Sequence, residues 1–121
     1  MWITVAWIAL ALVHTPPALA TFSPQMRKRM YGVDDNGPLG IILVHRGVLF
    51  LAVASACVLA ALNVEARTAA VLVTSISVIG FLIAYVLHGA PKRLRTIALV
   101  DAVALIPLAI VGFDVWTRLS A

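Results

Sequence analysis

Four ionisable side chains in this 121-residue sequence interrupt long apolar stretches. They are His14, His45, Arg46 and Asp101. If such a stretch spans a membrane, an arginine near its centre costs roughly 2.5–3.5 kcal/mol of insertion free energy, so Arg46 needs a partner. Asp101, five residues into the last apolar stretch, is the candidate partner. We therefore predict that Arg46 and Asp101 form a direct or water-bridged ion pair, with His14 and His45 within one side-chain length of it.

These residue types could hold the polar head of a ligand. The guanidinium of Arg46 offers a planar fork for a carbonyl, carboxylate or phosphate group, and Asp101 would orient it. Histidines can donate, accept or carry a proton near neutral pH. Apolar walls for a prenyl or acyl tail would come from Leu49, Phe50 and Leu105. The residues predicted to bind a ligand are His14, His45, Arg46, Tyr85, His88 and Asp101.

Four apolar stretches must position these side chains. The sequence is 63% hydrophobic and only 12% charged, whereas a soluble domain carries about 25% charged residues. The stretches cover about residues 2–20, 39–62, 68–88 and 96–119, and each is long enough to cross a bilayer as a helix. Their short connections favour antiparallel packing. The predicted fold is an all-α integral membrane protein, an antiparallel four-transmembrane-helix bundle in a single domain.

A short amphipathic helix is predicted between the first two stretches. Ser23 and Pro24 form a helix start, and Gly32 is a plausible stop. Apolar side chains at four-residue spacing lie beside a basic run, which is typical of an interfacial helix on anionic headgroups. The apolar residues are Phe22, Met26 and Met30, and the basic ones are Arg27, Lys28 and Arg29. A turn over residues 34–38 follows.

The distribution of basic residues predicts the orientation. One side of the bundle would carry six of them, namely Arg27, Lys28, Arg29, Lys92, Arg93 and Arg95, and the other side only Arg67 and Arg118. The more basic side is normally cytoplasmic. Both termini would then be periplasmic in a bacterial inner membrane, and Trp2 and Trp7 would belong to an interfacial aromatic belt at the far end.

This orientation places the candidate site at one depth of the bilayer. A rise of about 1.5 Å per residue puts Arg46 roughly 10 Å and Asp101 roughly 8 Å from the cytoplasmic ends of their helices. His14, Tyr85 and His88 lie in the same half. An ionisable cluster inside a membrane indicates a functional site.

Simpler interpretations stay open for each residue. Arg46 could extend to the headgroups, since its stem is long, or its pair with Asp101 could be purely structural. His14 could bind the carbonyls that Pro16 and Pro17 leave without helical partners. Tyr85 and His88 could be ordinary residues of the membrane interface.

The full chain resembles a group of small bacterial four-span membrane proteins allied to the DoxX-like proteins. The features that carry the resemblance are His14, Tyr31-Gly32, His45-Arg46, Phe50 and Asp101. It implies a small subunit or partner of a membrane oxidoreductase, in some cases linked to quinone. Some members of this group carry the label phosphopantetheine adenylyltransferase, but this sequence has no α/β pattern and no strand-loop-helix nucleotide site to support that activity.

The function favoured by these features is that of an inner-membrane binding or accessory protein. It would hold a quinone or lipid headgroup, or dock onto a larger membrane complex or a second copy of itself. One alternative is a b-type haem electron carrier with His14 and His45 as axial ligands. Another is an oligomeric proton-coupled transporter that uses Asp101 and the histidines.

Two other classes are disfavoured. A metal hydrolase would need spacings such as HExxH or paired CxxC, which the sequence lacks, and an enzyme of any kind is the less favoured reading. The net charge of +4 comes from short basic clusters beside apolar stretches. That pattern indicates membrane topology and not nucleic-acid binding.

Overall fold

The computed structural model describes residues 1–34 and 36–121, so Asp35 of the predicted turn lies outside the described residues. The described chain contains α-helices and short 3-10 turns and no strand. The α-helices are α1 (Trp2–Leu19), α2 (Pro24–Tyr31), α3 (Pro38–Leu62), α4 (Arg67–Leu87) and α5 (Arg95–Leu119). The 3-10 turns are Ala20–Phe22, Val64–Ala66 and Lys92–Leu94.

Four helical segments are long and apolar enough to cross a membrane, as the sequence predicts. With their adjoining 3-10 turns they cover Trp2–Phe22, Pro38–Leu62, Val64–Leu87 and Lys92–Leu119. Large apolar side chains such as Ile41, Ile76 and Ile106 are exposed along them. Soluble monomers rarely expose so much contiguous apolar surface. The chain therefore has the character of a multi-pass membrane protein.

The four long helices contact one another in a closed ring. Helix α1 packs against α3 and α5, and α4 packs against the same two helices. Small side chains let helices approach closely where lipid surrounds a bundle. Alanines and one cysteine provide much of this core, including Ala6, Ala11, Cys57, Ala60, Ala70 and Ala104.

Trp7 is fully buried at the centre of the ring, with 0% of its surface exposed. Leu10, Val78 and Val111 complete this layer of the core. The prediction that Trp7 belongs to an interfacial belt is therefore wrong, because its side chain is enclosed in the core of the bundle. Trp2 is 76% exposed.

Helix α1 continues through both of its prolines and ends against α3. A Cβ atom at Gly47 would overlap Thr21 Oγ1 and lie 3.2 Å from the carbonyl oxygen of Pro17. Since glycine has no Cβ, the chain leaving α1 can lie directly on α3 at this point. This contact fixes the position of the loop that leads into α2.

We expect Gly47→Ala to lower the melting temperature of the detergent-solubilised protein, because the added methyl group must displace Thr21. Gly80→Ala is the matched control, since no atom lies within 4 Å of its Cβ position. Alanine favours a helix over glycine by about 1 kcal/mol, so Gly80→Ala should be neutral or stabilising. Circular dichroism melting of the two variants makes the comparison. Equal melting would mean that the close approach at Gly47 contributes nothing.

Helix α2 begins and ends where the sequence predicts. The Ser23 hydroxyl oxygen accepts a hydrogen bond from the Met26 N–H at 3.2 Å, and Pro24 occupies the first helical position. Gly32 ends the helix with φ +68, and its N–H donates to the carbonyl of Lys28 at 2.8 Å. A positive φ at this position favours glycine.

An ion-pair cluster ties α3, α4 and α5 together away from α2. Arg67 donates from Nε to the carbonyl of Ala60 at 3.0 Å and from Nη1 to Asp114 Oδ2 at 3.2 Å. Arg118 donates from Nε to the same Asp114 oxygen at 3.1 Å. The side chains of Arg67 and Asp114 are only 10% and 13% exposed. Arg67 and Asp114 therefore form a largely buried ion pair.

Candidate ligand-binding cavity

A cavity of about 390 Å³ lies between α1, α2, α3 and α5. Most of its lining is apolar, and its charged side chains belong to three arginines and one aspartate. The lining residues are Val13, His14, Pro16, Pro17, Met26, Arg29, Met30, Tyr31, Arg46, Phe50, Arg93, Thr96, Ile97, Val100 and Asp101. The volume lies within the range of small-molecule sites.

Arg46 lies in this cavity among three aromatic rings. Its Cζ atom is 5.0 Å from the ring centroid of Phe50, 5.5 Å from that of Phe81 and 5.7 Å from that of Tyr31. Such contacts stabilise a cation electrostatically but do not satisfy its N–H groups. Arg46 Nε is buried and has no hydrogen-bond partner among the described residues. The guanidinium therefore lies among aromatic rings with its Nε donor unsatisfied by the described residues.

Asp101 lines the same cavity without touching Arg46. The two side chains interact electrostatically, but no ion pair within 4.0 Å joins them in the described part of the chain. The predicted direct pair is therefore wrong, since aromatic rings and not a carboxylate flank the guanidinium. A water-bridged pair stays a prediction.

His14 forms one wall of the cavity and is 2% exposed. Its Nδ1 lies 2.8 Å from the carbonyl oxygen of Leu10, and its Nε2 lies 3.2 Å from Ser77 Oγ on α4. Because a carbonyl can only accept, the neutral ring donates from Nδ1 and accepts the Ser77 hydroxyl at Nε2. The ring also lies 5.7 Å from that of Phe50.

These contacts test the interpretation that His14 binds a carbonyl left free by Pro16 and Pro17. The two prolines remove the helical partners of the carbonyls of Leu12 and Val13, whereas His14 binds the carbonyl of Leu10. The interpretation that His14 binds a carbonyl freed by the prolines is therefore wrong. Its hydrogen bond to Ser77 instead links α1 to α4.

His45, Tyr85 and His88 do not line the cavity. His45 is exposed on α3, since consecutive helical residues point about 100° apart and Arg46 takes the inward position. His88 is exposed, with Nδ1 2.8 Å from the carbonyl of Ala84. Tyr85 is half-buried and stacks on Phe81 with 6.1 Å between ring centroids, so its link to Arg46 is indirect. The cavity thus gathers three of the six predicted residues, His14, Arg46 and Asp101.

This placement does not fit a haem held by two histidines. An axial ligand offers a ring nitrogen to the iron, but both ring nitrogens of His14 lie at hydrogen-bond distance from protein atoms. His45 lies on an exposed face.

Sequence reasoning missed several residues of the site. The sequence predicts only headgroup contact for Arg29 and only a contribution to orientation for Arg93, yet both line the cavity. The guanidinium of Arg93 packs against Gly32, where any side chain would overlap it. The signal that could have located this contact is the glycine directly after Tyr31. Ser77 and Phe81 carry no comparable signal, because small polar and aromatic residues are common in apolar helices.

Comparison of the chain with protein-family models, with curated proteins and with solved structures found no match in any of the three.

Proposed function

We propose that this chain is a small integral membrane protein that binds the polar headgroup of an amphipathic bilayer molecule, a quinone or a lipid, in the cavity around Arg46. The observation that carries the proposal is Arg46 itself. Its guanidinium is held by three aromatic rings, has a buried and unpartnered Nε, and opens onto a mostly apolar cavity. Ligand sites typically combine apolar walls with a few fixed polar groups.

Several residues that carry the resemblance to DoxX-like proteins also line the cavity. Those that carry it and line the cavity are His14, Tyr31, Arg46, Phe50 and Asp101. Their convergence on one cavity supports a shared binding role. Docking onto a larger membrane complex is the alternative role that the resemblance implies.

The contacts of the bundle support an antiparallel arrangement of the four spans. The cavity joins the carboxyl end of α1 to the amino-terminal halves of α3 and α5. The ion-pair cluster joins the carboxyl ends of α3 and α5 to the start of α4. Together with the six-to-two distribution of basic residues in the sequence, this supports our proposal that the cavity lies in the cytoplasmic half of an inner membrane and that both termini are periplasmic.

Reporter fusions test this orientation. A fusion after Ala121 should behave as exported, and a fusion after Pro91, in the basic connection between α4 and α5, should behave as cytoplasmic. The measurement is the activity of a reporter that functions on only one side of the membrane. The reverse pattern would move the cavity to the periplasmic half.

Molecules that co-purify with the protein test the binding function. We expect mass spectrometry of extracts from protein purified in mild detergent to find a quinone or lipid with the wild type and to find it depleted in Arg46→Met. Arg95→Met is the matched control, because Arg95 is an exposed arginine near the same end of the bundle and does not line the cavity. Equal recovery from all three proteins would contradict the proposal. A haem absorption band in the wild type would favour the electron-carrier alternative.

A further inference from the structure

The charges around the cavity do not balance. Three arginines, Arg29, Arg46 and Arg93, line it together with a single carboxylate, that of Asp101. This leaves a surplus of two positive charges. Arg46 lies within a spanning helix, where an unpaired charge is unfavourable. Arg29 and Arg93 are exposed outside the four long helices, so a neutral headgroup would leave their charge to water or lipid headgroups, whereas an anionic headgroup would compensate it at the cavity.

None of the three arginines forms an ion pair with another residue that the structure describes. In the ion-pair cluster that joins α3, α4 and α5, by contrast, Arg67 and Arg118 share the carboxylate of Asp114. Within the described residues, the three arginines that line the cavity thus have no carboxylate partner within 4.0 Å, whereas Arg67 and Arg118 share one. Arg93 is held by its packing on Gly32, and Arg46 by its aromatic rings.

We propose that the ligand of this cavity carries a terminal phosphate, and that the three arginines bind its oxygens. The inference rests on the proposed binding function and names the chemical class of the ligand. A phosphate monoester carries a charge of about −1.5 to −2 near pH 7 and three acceptor oxygens. That charge matches the surplus at the cavity, whereas a carboxylate or a phosphodiester carries only one negative charge.

Arginine is suited to this role because its fork donates two parallel hydrogen bonds to a phosphate. The apolar walls from Val13, Ile97 and Val100 favour a phosphate attached to a hydrocarbon chain. The cavity of about 390 Å³ accommodates the headgroup and the first part of such a chain, and the remainder of the chain would lie in the bilayer.

Lipids that differ only in the headgroup test the phosphate. The delipidated protein in detergent is titrated with dioleoyl phosphatidic acid, dioleoyl phosphatidylglycerol and dioleoylglycerol, and binding is followed by native mass spectrometry. We expect the monoester to bind about tenfold more tightly than the diester, the equivalent of one charge-assisted hydrogen bond. Binding of dioleoylglycerol should be weaker than that of either phospholipid. Soluble glycerol 3-phosphate distinguishes the source, because saturation by it alone would identify a free phosphate ester as the ligand.

Arginine variants test whether the lipid binds at the cavity. Arg29→Met, Arg46→Met and Arg93→Met should each lose the preference for the monoester, while Arg95→Met should keep it. Arg29 is exposed, so its variant tests the proposal even if Arg46→Met fails to fold. Equal binding of the three lipids by the wild type would overturn the phosphate assignment, as would an undiminished preference in Arg29→Met and Arg93→Met.

The two proposals fail in different ways. If a quinone or dioleoylglycerol binds in a manner that depends on Arg46, and the monoester has no advantage, the phosphate assignment is wrong and the headgroup-binding function stands. If no amphipathic molecule binds in a manner that depends on Arg46, both are wrong.

Discussion

Truncation of Trp7 to alanine is expected to destabilise the bundle by about 3 kcal/mol. Its indole is fully buried where α1 meets the rest of the core, so removal leaves a cavity that backbone shifts only partly close. Truncation of a buried tryptophan typically costs about 3–5 kcal/mol. We expect the lower value because lipid, and not water, would surround the bundle, so that the main loss is van der Waals packing. Equilibrium unfolding of the solubilised protein measures it.

Two variants control this experiment. Trp2→Ala removes an indole that is 76% exposed on the same helix, and we expect it to be nearly neutral. Trp7→Phe keeps most of the ring volume and removes Nε1, which is buried and has no hydrogen-bond partner among the described residues. It should therefore lose much less stability than Trp7→Ala. Similar losses in Trp2→Ala and Trp7→Ala would mean that the indole of Trp7 is not part of the core.

Asp114→Leu is expected to destabilise the protein by about 3 kcal/mol, because it leaves Arg67 and its positive charge buried without a carboxylate. The double variant Arg67→Met, Asp114→Leu should be more stable than Asp114→Leu alone, since no unpaired charge remains. A double-mutant cycle on equilibrium unfolding gives the coupling energy directly.

A double-mutant cycle on Arg46 and Asp101 gives a coupling energy to compare with that of Arg67 and Asp114. These side chains line one cavity but form no ion pair within 4.0 Å, so the coupling energy between Arg46→Met and Asp101→Leu should be smaller than that between Arg67→Met and Asp114→Leu. A coupling energy at Arg46 and Asp101 as large as that at Arg67 and Asp114 would show that the two groups meet in solution. Additivity at both sites would mean that the Asp114 cluster contributes little to stability.

The placement of Asp114 explains why one pairing was predicted and another found. Asp101 and Asp114 lie at comparable depths, six residues from the start and five from the end of α5, so depth by itself does not select one of them as the partner of an arginine. Asp114 lies in the carboxyl-terminal half of the helix. The end of α3 and the start of α4 converge on it, and only that convergence brings Arg67 within 3.2 Å of its oxygen.

The sequence by itself determined which segments of this protein are helical. Apolar stretches of spanning length, a serine-proline start and a left-handed glycine stop are local signals, and they give helix ends within one residue of those of the four long helices. Only the tertiary structure decided which way each side chain faces. In these helices nearly every face is apolar, so no amphipathic period separates core from exterior. Packing between helices therefore decided that Trp7 is buried and His45 exposed. It also brought Arg46 to its three aromatic rings and Arg93 to Gly32. Most of these contacts join residues far apart in the chain, so local sequence signals do not predict them.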